Sequence, residues 1–515
     1  MKREVVRQGL IYVCEEMGAH LKRSAFSPNI REREDFSCAV YDASGELVAQ
    51  AEHIPVHLGS MRWAVRAVLE EFDRGEMEPG DAFLLNDPYR GGTHLPDLTV
   101  IAPIFHEDEL VGFTAVRAHH ADVGGKVPGS MPHDAEDVYS EGLRIPPVRV
   151  AEGGEPREEI LRLVEANSRG GRERRYDLMA QLSAAFRGCE RVEELIEEHG
   201  LEAFREACEW AKEYAERRMR RAIEGLPDGK YRGGDRLEGD GVSEDEIWIQ
   251  VTVTVEGDEI TVDFSGTSEQ ADGPVNAPLP VTHSAVFFVL KAVLDPETPA
   301  SEGAYRPIHV KAPEGTVVNP RPPAPVCAGN VETSQRIVDA VLDALRRAVP
   351  DLPAHSHGSM NNVAIGGPDF AYYETIGGGA GASPERDGES AVHVYMTNTA
   401  NTPVEHVERE YPIRIMEYTV RRGSGGAGRR RGGDGIVRRY LALKRCRVTV
   451  LGDRVEKGPR GAAGGEPGKP AEYLVERSDG SVERLGPKDS TVLEPGDMLI
   501  VKTAGGGGYG RVKKA

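Results

Sequence analysis

No two of the chain's six cysteines are closely spaced. Cys14, Cys38, Cys189, Cys208, Cys327 and Cys446 are scattered, which excludes a CxxC thiolate site, argues against a disulfide framework and suits a reducing compartment. No apolar run approaches the ~20 residues needed to cross a bilayer. The N-terminal MKREVVRQGLIYVCEEMGAH is broken by charge every few positions, unlike a signal peptide. A cytoplasmic protein with no membrane partner is expected. Positive charge is also in deficit, with 63 Lys and Arg against 84 Asp and Glu, a net charge of -21. That argues against nucleic acid as a partner, because the phosphate backbone rewards surplus cations. There is no P-loop, no Gly-x-Ser-x-Gly elbow, no cysteine placed as a nucleophile, no internal repeat and no heptad run.

What remains is a 515-residue chain, 39% hydrophobic and 29% charged, with material for a large core and roughly two to four domains. Residues 4–25 carry Val5, Leu10, Val13, Met17 and Leu21 at helical period. Strand-like runs at Phe36–Tyr41 and Leu47–Ala51 flank a turn, and a helix is expected over Ser60–Phe72. Residues 126–156, rich in Pro, Gly and Asp, read as a long covering loop. Helical pattern fills 158–224, and strand alternation returns at Ile247–Val255 and Glu259–Phe264 around Gly257-Asp258. Further helices are expected at Thr282–Leu294 and Ser334–Ala348, and alternation resumes from Arg438 to Gly510. The expected class is α+β, with mixed, largely antiparallel sheets, helical segments and a small C-terminal β-domain. The expected division is 1–157, an N-terminal α/β metal-site domain; 158–230, helical; 231–437, a central α+β domain with Gly-rich loops; and 438–515, β-rich.

The chemistry concentrates between Asn86 and Gly125. His94 and Asp97 precede the apolar run Leu98–Phe105; His119, His120 and Asp122 follow the run Leu110–Val116. The charged turn His106-Glu107-Asp108-Glu109 joins the runs into a hairpin. Antiparallel pairing then sets the two clusters side by side, although they are about 25 residues apart in sequence. Imidazole with carboxylate suits Zn, Mn or Fe rather than Ca or Mg. Two histidines and one aspartate would leave coordination positions open for catalysis. Glu32, Asp35, His53 and His57 lie just upstream, where the carboxylates of ERED would otherwise be a solvated turn. The glycine stretches 377–381, 423–428 and 505–508 read as close backbone approaches, with anion nests as the alternative. Arg429–Arg431 and Arg438-Arg439 read equally as a solvated basic loop or an anion contact.

Asn86-Asp87-Pro88-Tyr89 with Gly92-Thr93-His94-Leu95-Pro96-Asp97 resembles the signature of the hydantoinase B/oxoprolinase family. So do IREREDFSCAVYD (30–42), HIPVHLGSM (53–61), DFSGTS (263–268), ETIGGGAGA (374–382), NTANTPVEHVEREYP (398–412), SGGAGRRRGGDG (424–435) and the terminal GGGGYG. These segments run through almost the whole chain in family order. The resemblance implies the metal-dependent catalytic B subunit of an ATP-dependent cyclic amidohydrolase of hydantoinase or 5-oxoprolinase type. It assigns the metal to His94, Asp97 and His119. His120 and Asp122 take supporting places, either of them or His57 serves as proton shuttle, and Glu32 is a weaker contact near the metal. ATP would be used by a separate A-type ATPase subunit rather than bound by this chain, in a hetero-oligomer such as a dimer of A–B pairs. The alternatives are the metal-bearing subunit of an acetone- or acetophenone-type carboxylase acting on a ketone, and a non-catalytic scaffold.

Overall fold

A computed structural model describes residues 2–51 and 53–512. It is an α+β fold built on four open sheets. The first contains β1 (Phe36–Asp42), β2 (Leu47–Gln50), β3 (Ala82–Leu85), β4 (Asp97–His106), β5 (Glu109–His119), β6 (Val148–Glu152) and β7 (Glu155–Pro156), in the order β2-β1-β5-β4-β3-β6-β7. Both its faces are covered. Cys38, Val40, Leu84, Leu98, Val100, Ala102, Val116 and Ala118 face the helices Lys2–Ser24 and Gly171–His199. The alternate residues Ala39, Tyr41, Phe83, Leu85, Ile101, Phe113 and Ala115 face the helix Met61–Glu71. Burial on both sides explains why β4 and β5 read as continuous apolar runs rather than as alternation.

The expected loop over 126–156 is corrected at its C-terminal end. Val148–Glu152 and Glu155–Pro156 are strands that extend the first sheet beyond β3. The strand Gly229–Glu238, which the sequence reading passed over, pairs along its whole length with Glu246–Glu256. That partner alternates cleanly between buried and exposed. The helices Leu279–Leu294 and Ser334–Leu345 pack together, and the second lies on this second sheet. Among the named strands, only Glu259–Asp263 with Ile308–Lys311 pairs in parallel; the other described pairs are antiparallel.

The last two sheets interleave the chain across the expected boundary at 437/438. Asn362–Gly366 pairs with Cys446–Leu451, and Ile413–Arg421 pairs with Gly435–Ala442, which itself crosses the boundary. Between them the glycine stretches pack backbone on backbone. A Cβ on Gly433 would meet Glu389 O at 1.8 Å, and one on Gly506 would meet Ala380 O at 1.9 Å. The segments are held by main-chain bonds, Gly506 N to Gly433 O and Gly433 N to Ala380 O, each 2.9 Å. Close approach is therefore what these glycines permit.

Candidate metal centre at the hairpin end

The hairpin register sets Asp97 directly opposite His119. His94 joins them through a tight turn, closed by Asp97 N donating to His94 O at 3.0 Å. Three ligand atoms converge. His94 Nε2 lies 3.0 Å from Asp97 Oδ1, His119 Nδ1 lies 3.1 Å from the same oxygen, and the two nitrogens are 3.2 Å apart. All three residues are buried. They line a cavity of about 20 Å³, which has room for one ion or water.

The donor set fits a cation. His94 Nδ1 is 3.2 Å from the carbonyl of Cys327, which places the ring proton on Nδ1 and leaves Nε2 a bare lone pair aimed at the cluster. That carbonyl is itself fixed, because Glu141 Oε1 accepts from the amides of Val326 at 2.7 Å and Cys327 at 2.9 Å. Two imidazole nitrogens and a carboxylate oxygen thus face one another across one small cavity. Cis ligands about 2.1 Å from one ion stand about 3.0 Å apart, and tetrahedral ligands about 3.4 Å apart. The observed edges are nearer the cis set, which leaves positions open.

Asp97 dominates the electrostatics of the cluster. Burial alone would raise the Asp97 pKa, but His94 and His57, with the hydrogen bond from His119, hold it well below the usual carboxylate range. Burial works against a charge on His94 too, yet the Asp97 carboxylate outweighs it and the pKa rises. For His119 burial prevails and the pKa falls. Asp97 Oδ2 accepts from Thr93 Oγ1 at 2.6 Å and from Asn330 Nδ2 at 3.4 Å.

His57 belongs to this site. Its Nε2 is 3.5 Å from Asp97 Oδ2, and its Nδ1 is 3.3 Å from Ser37 Oγ. Ser37 Oγ already accepts from Ile54 N at 3.1 Å, so its own proton is free for His57 Nδ1. His120 and Asp122 are not brought to the cavity. Successive residues leaving β5 point to opposite faces. His120 turns into the helical layer and meets Gln181 Oε1 at 2.7 Å, with burial pushing its pKa down to about 4. Asp122 ties a loop together, accepting from the amides of Gly124, Gly129 and Arg169 and pairing with the Arg169 guanidinium at 3.1 Å. Glu32 is half-buried and does not line the cavity; its neighbours Arg33 and Asp35 turn inward instead.

Sequence reasoning missed the far wall of Asn330, Met360, Tyr373 and Thr397. The Tyr373 ring stacks on His119 at 4.5 Å, and the Arg33 guanidinium lies over the same tyrosine ring, 5.0 Å from its centroid. Asn330 sits in a π-helical turn, Gly329–Thr333, and its buried Oδ1 has no partner among the described residues. Such turns recur at functional sites. Arg429–Arg431 are exposed, whereas Arg438 is buried, 3.5 Å from Glu374. A second group with ligand-like spacing, Asp235, Asp339 and His355, is already neutralised. Arg454 Nη2 lies 2.7 and 2.9 Å from the two carboxylates, and Arg336 lies 3.0 Å from Asp339.

Fold and cluster together define a class: an α+β protein with a buried site of two imidazoles and one carboxylate at the end of a sheet hairpin. Residues 1–512 match the family model described as Hydantoinase B/oxoprolinase, and the chain belongs to that family. It is 45% identical to an uncharacterized protein of Methanocaldococcus jannaschii, covering 98% of this chain and 90% of that one. It is 38% identical to the 5-oxoprolinase of Dictyostelium discoideum, over 97% of this chain but only 39% of that protein's length. The crystal structure of an ATP-dependent caprolactamase from Pseudomonas jessenii superposes with a TM-score of 0.92 at 31% identity, covering 99% of this chain and 90% of that one. No described helix is long and apolar enough to cross a membrane.

Proposed function

We propose that this chain is the metal-dependent catalytic B subunit of an ATP-dependent cyclic amidohydrolase. Its substrate would be a five-membered lactam or hydantoin ring activated by an A-type ATPase subunit. The observation that carries the reading is the convergence of His94 Nε2, Asp97 Oδ1 and His119 Nδ1 within 3.2 Å at the hairpin end. Family membership and the caprolactamase likeness support the reaction class.

His94, Asp97 and His119 would hold a Mn, Zn or Fe ion. When bound, such an ion supplies Lewis acidity, polarising an amide oxygen and lowering the pKa of a water molecule. The chain's own residues do the rest. Cys327 O and Glu141 keep the His94 lone pair aimed at the cluster. His57, with Nδ1 accepting from Ser37 and its Nε2–H toward Asp97, is placed to give a proton at the cavity to the leaving nitrogen. Tyr373, Met360, Ile54 and Val56 exclude bulk water.

The test is turnover of 5-oxoproline, hydantoin and acetone with ATP and the A-type subunit, before and after chelation. Ring opening that is lost on chelation and restored by one metal supports the reading. Acetone carboxylation without ring opening would assign the chain to the carboxylase branch instead.

A further inference from the structure

On a chain of net charge -21, one open cavity of about 400 Å³ is lined by three arginines, Arg169, Arg445 and Arg447, and no carboxylate is among its lining residues. Sheet register builds its floor. Arg447, on the strand Cys446–Leu451, stands between Gly366 and Val492 on the two neighbouring strands, and all three line the cavity. Side chains alternate along a strand, so Arg445 falls on the same face as Arg447, and Cys446 between them is buried in the core. Gly366 lets the covering loop close in from one side, since a Cβ there would meet Pro128 Cβ at 2.3 Å. Arg169 arrives from the turn between the helices Glu158–Asn167 and Gly171–His199.

The three guanidinium groups are unequally engaged. Arg169 is fixed: its Nη1 pairs with the buried Asp122 at 3.1 Å and donates to Val127 O at 3.0 Å, and its Nη2 donates to Gly125 O at 3.0 Å. Arg445 is exposed and pairs through Nε with Glu494 at 3.2 Å, leaving both Nη groups without a partner among the described residues. Arg447 is also exposed, and its Nη1 meets a neutral group, Ser490 Oγ at 3.2 Å. Two carboxylates thus answer three cations. The unanswered charge is that of Arg447, in the middle of the row.

We propose that this cavity binds an oxyanion of the phosphate class, held by Arg447 and the Nη groups of Arg445, with Arg169 as a fixed third charge. One guanidinium already satisfies a carboxylate through two parallel hydrogen bonds. Several cations around one cavity suit an anion with more oxygens and more than one charge, which describes a phosphate group. The cavity exceeds the size of a single phosphate and has room for a diphosphate. This site goes beyond the hydrolytic reading and does not depend on it, because His94, Asp97 and His119 do not line this cavity.

Calorimetric titration of the full chain with pyrophosphate, inorganic phosphate, ATP and acetate, at constant ionic strength, tests it. Saturable binding of pyrophosphate or phosphate identifies a free anion, and saturation by ATP alone identifies the phosphate tail of a nucleotide; acetate should not saturate. Arg447→Gln should weaken the phosphate-class ligand at least about 10-fold. Val492→Glu, which sets a carboxylate on the half-buried wall, should abolish binding. Arg429→Gln, in the exposed basic loop, and His94→Ala, at the metal centre, should leave it unchanged. Absence of saturable binding by all three phosphate compounds, or acetate binding as tightly as they do, would overturn the proposal. So would an equal loss in Arg429→Gln, which marks a diffuse charge effect, or a loss in His94→Ala, which places the anion at the metal.

Discussion

Asp97 is shared by five side chains. Thr93 and Asn330 donate to one oxygen, His57 approaches the same oxygen, and His94 and His119 address the other. A buried carboxylate with that many donors is held ionised, and the oxygen left to the two imidazoles is the one the proposed ion shares. His57 faces the opposite oxygen, so its role separates from metal binding. His57→Gln should keep the bound metal but lower kcat by ~10²-fold or more with little change in KM, as steady-state kinetics with metal analysis would show. Loss of metal in that variant would make His57 part of the ion's support instead.

In the π-helical turn behind the far wall of the cavity, Glu332 is fully buried, and burial followed by the Asp453 charge pushes its pKa up to about 8, from an ordinary value of 4.5. Between those values the folded chain holds a proton that the unfolded chain has released. Its contribution is therefore complete below about 4.5 and is lost as pH rises to about 8. Glu332→Gln should remove that loss. Thermal unfolding at pH 5 and pH 8 should show wild type falling relative to the variant; parallel behaviour would contradict the assignment.

The hairpin was the most legible element. Two apolar runs, a charged turn and ligands at both open ends placed the two clusters side by side, and the structure pairs Asp97 with His119. The strand Gly229–Glu238 was not legible, because KYRGGDRLE offers few β-formers and owes its place to pairing with Glu246–Glu256. His120 and Asp122 share a motif with His119 but not its face, a distinction that spacing alone does not make. The far wall of the cavity comes from residues 330–397, about 210 to 300 positions beyond His94 and His119, and Asn, Tyr and Thr carry no metal signal of their own.

The glycine seams carry an element-scale prediction. Gly506→Ala places a methyl group 1.9 Å from Ala380 O, against main chain that cannot yield, whereas Gly75 lies exposed with only Asp73 Oδ1 near, at 3.4 Å. Gly506→Ala should destabilise the fold by roughly 1–3 kcal/mol or more, and Gly75→Ala by much less, in denaturant unfolding. Equal stability of the two variants would mean the segments are not packed as described.

At the scale of the molecule, the chain spans about two-fifths of the length of the 5-oxoprolinase it matches and nearly all of the caprolactamase chain. The proposed division of labour places ATP on the A-type subunit and the hydrolytic centre here. The purified chain alone should then hydrolyse neither ATP nor lactam, and both activities should appear when the A-type subunit is added. ATP hydrolysis by this chain alone, measured as phosphate release, would contradict that division.

The most direct measurement is the metal content of the purified full chain beside His94→Ala and Asp97→Asn, with lactam turnover in the presence of the A-type subunit. One equivalent of Mn, Zn or Fe in the wild type is predicted. Both variants should lose the ion, and turnover should fall by about 10³-fold or more. Metal content and turnover that survive both substitutions would contradict the account.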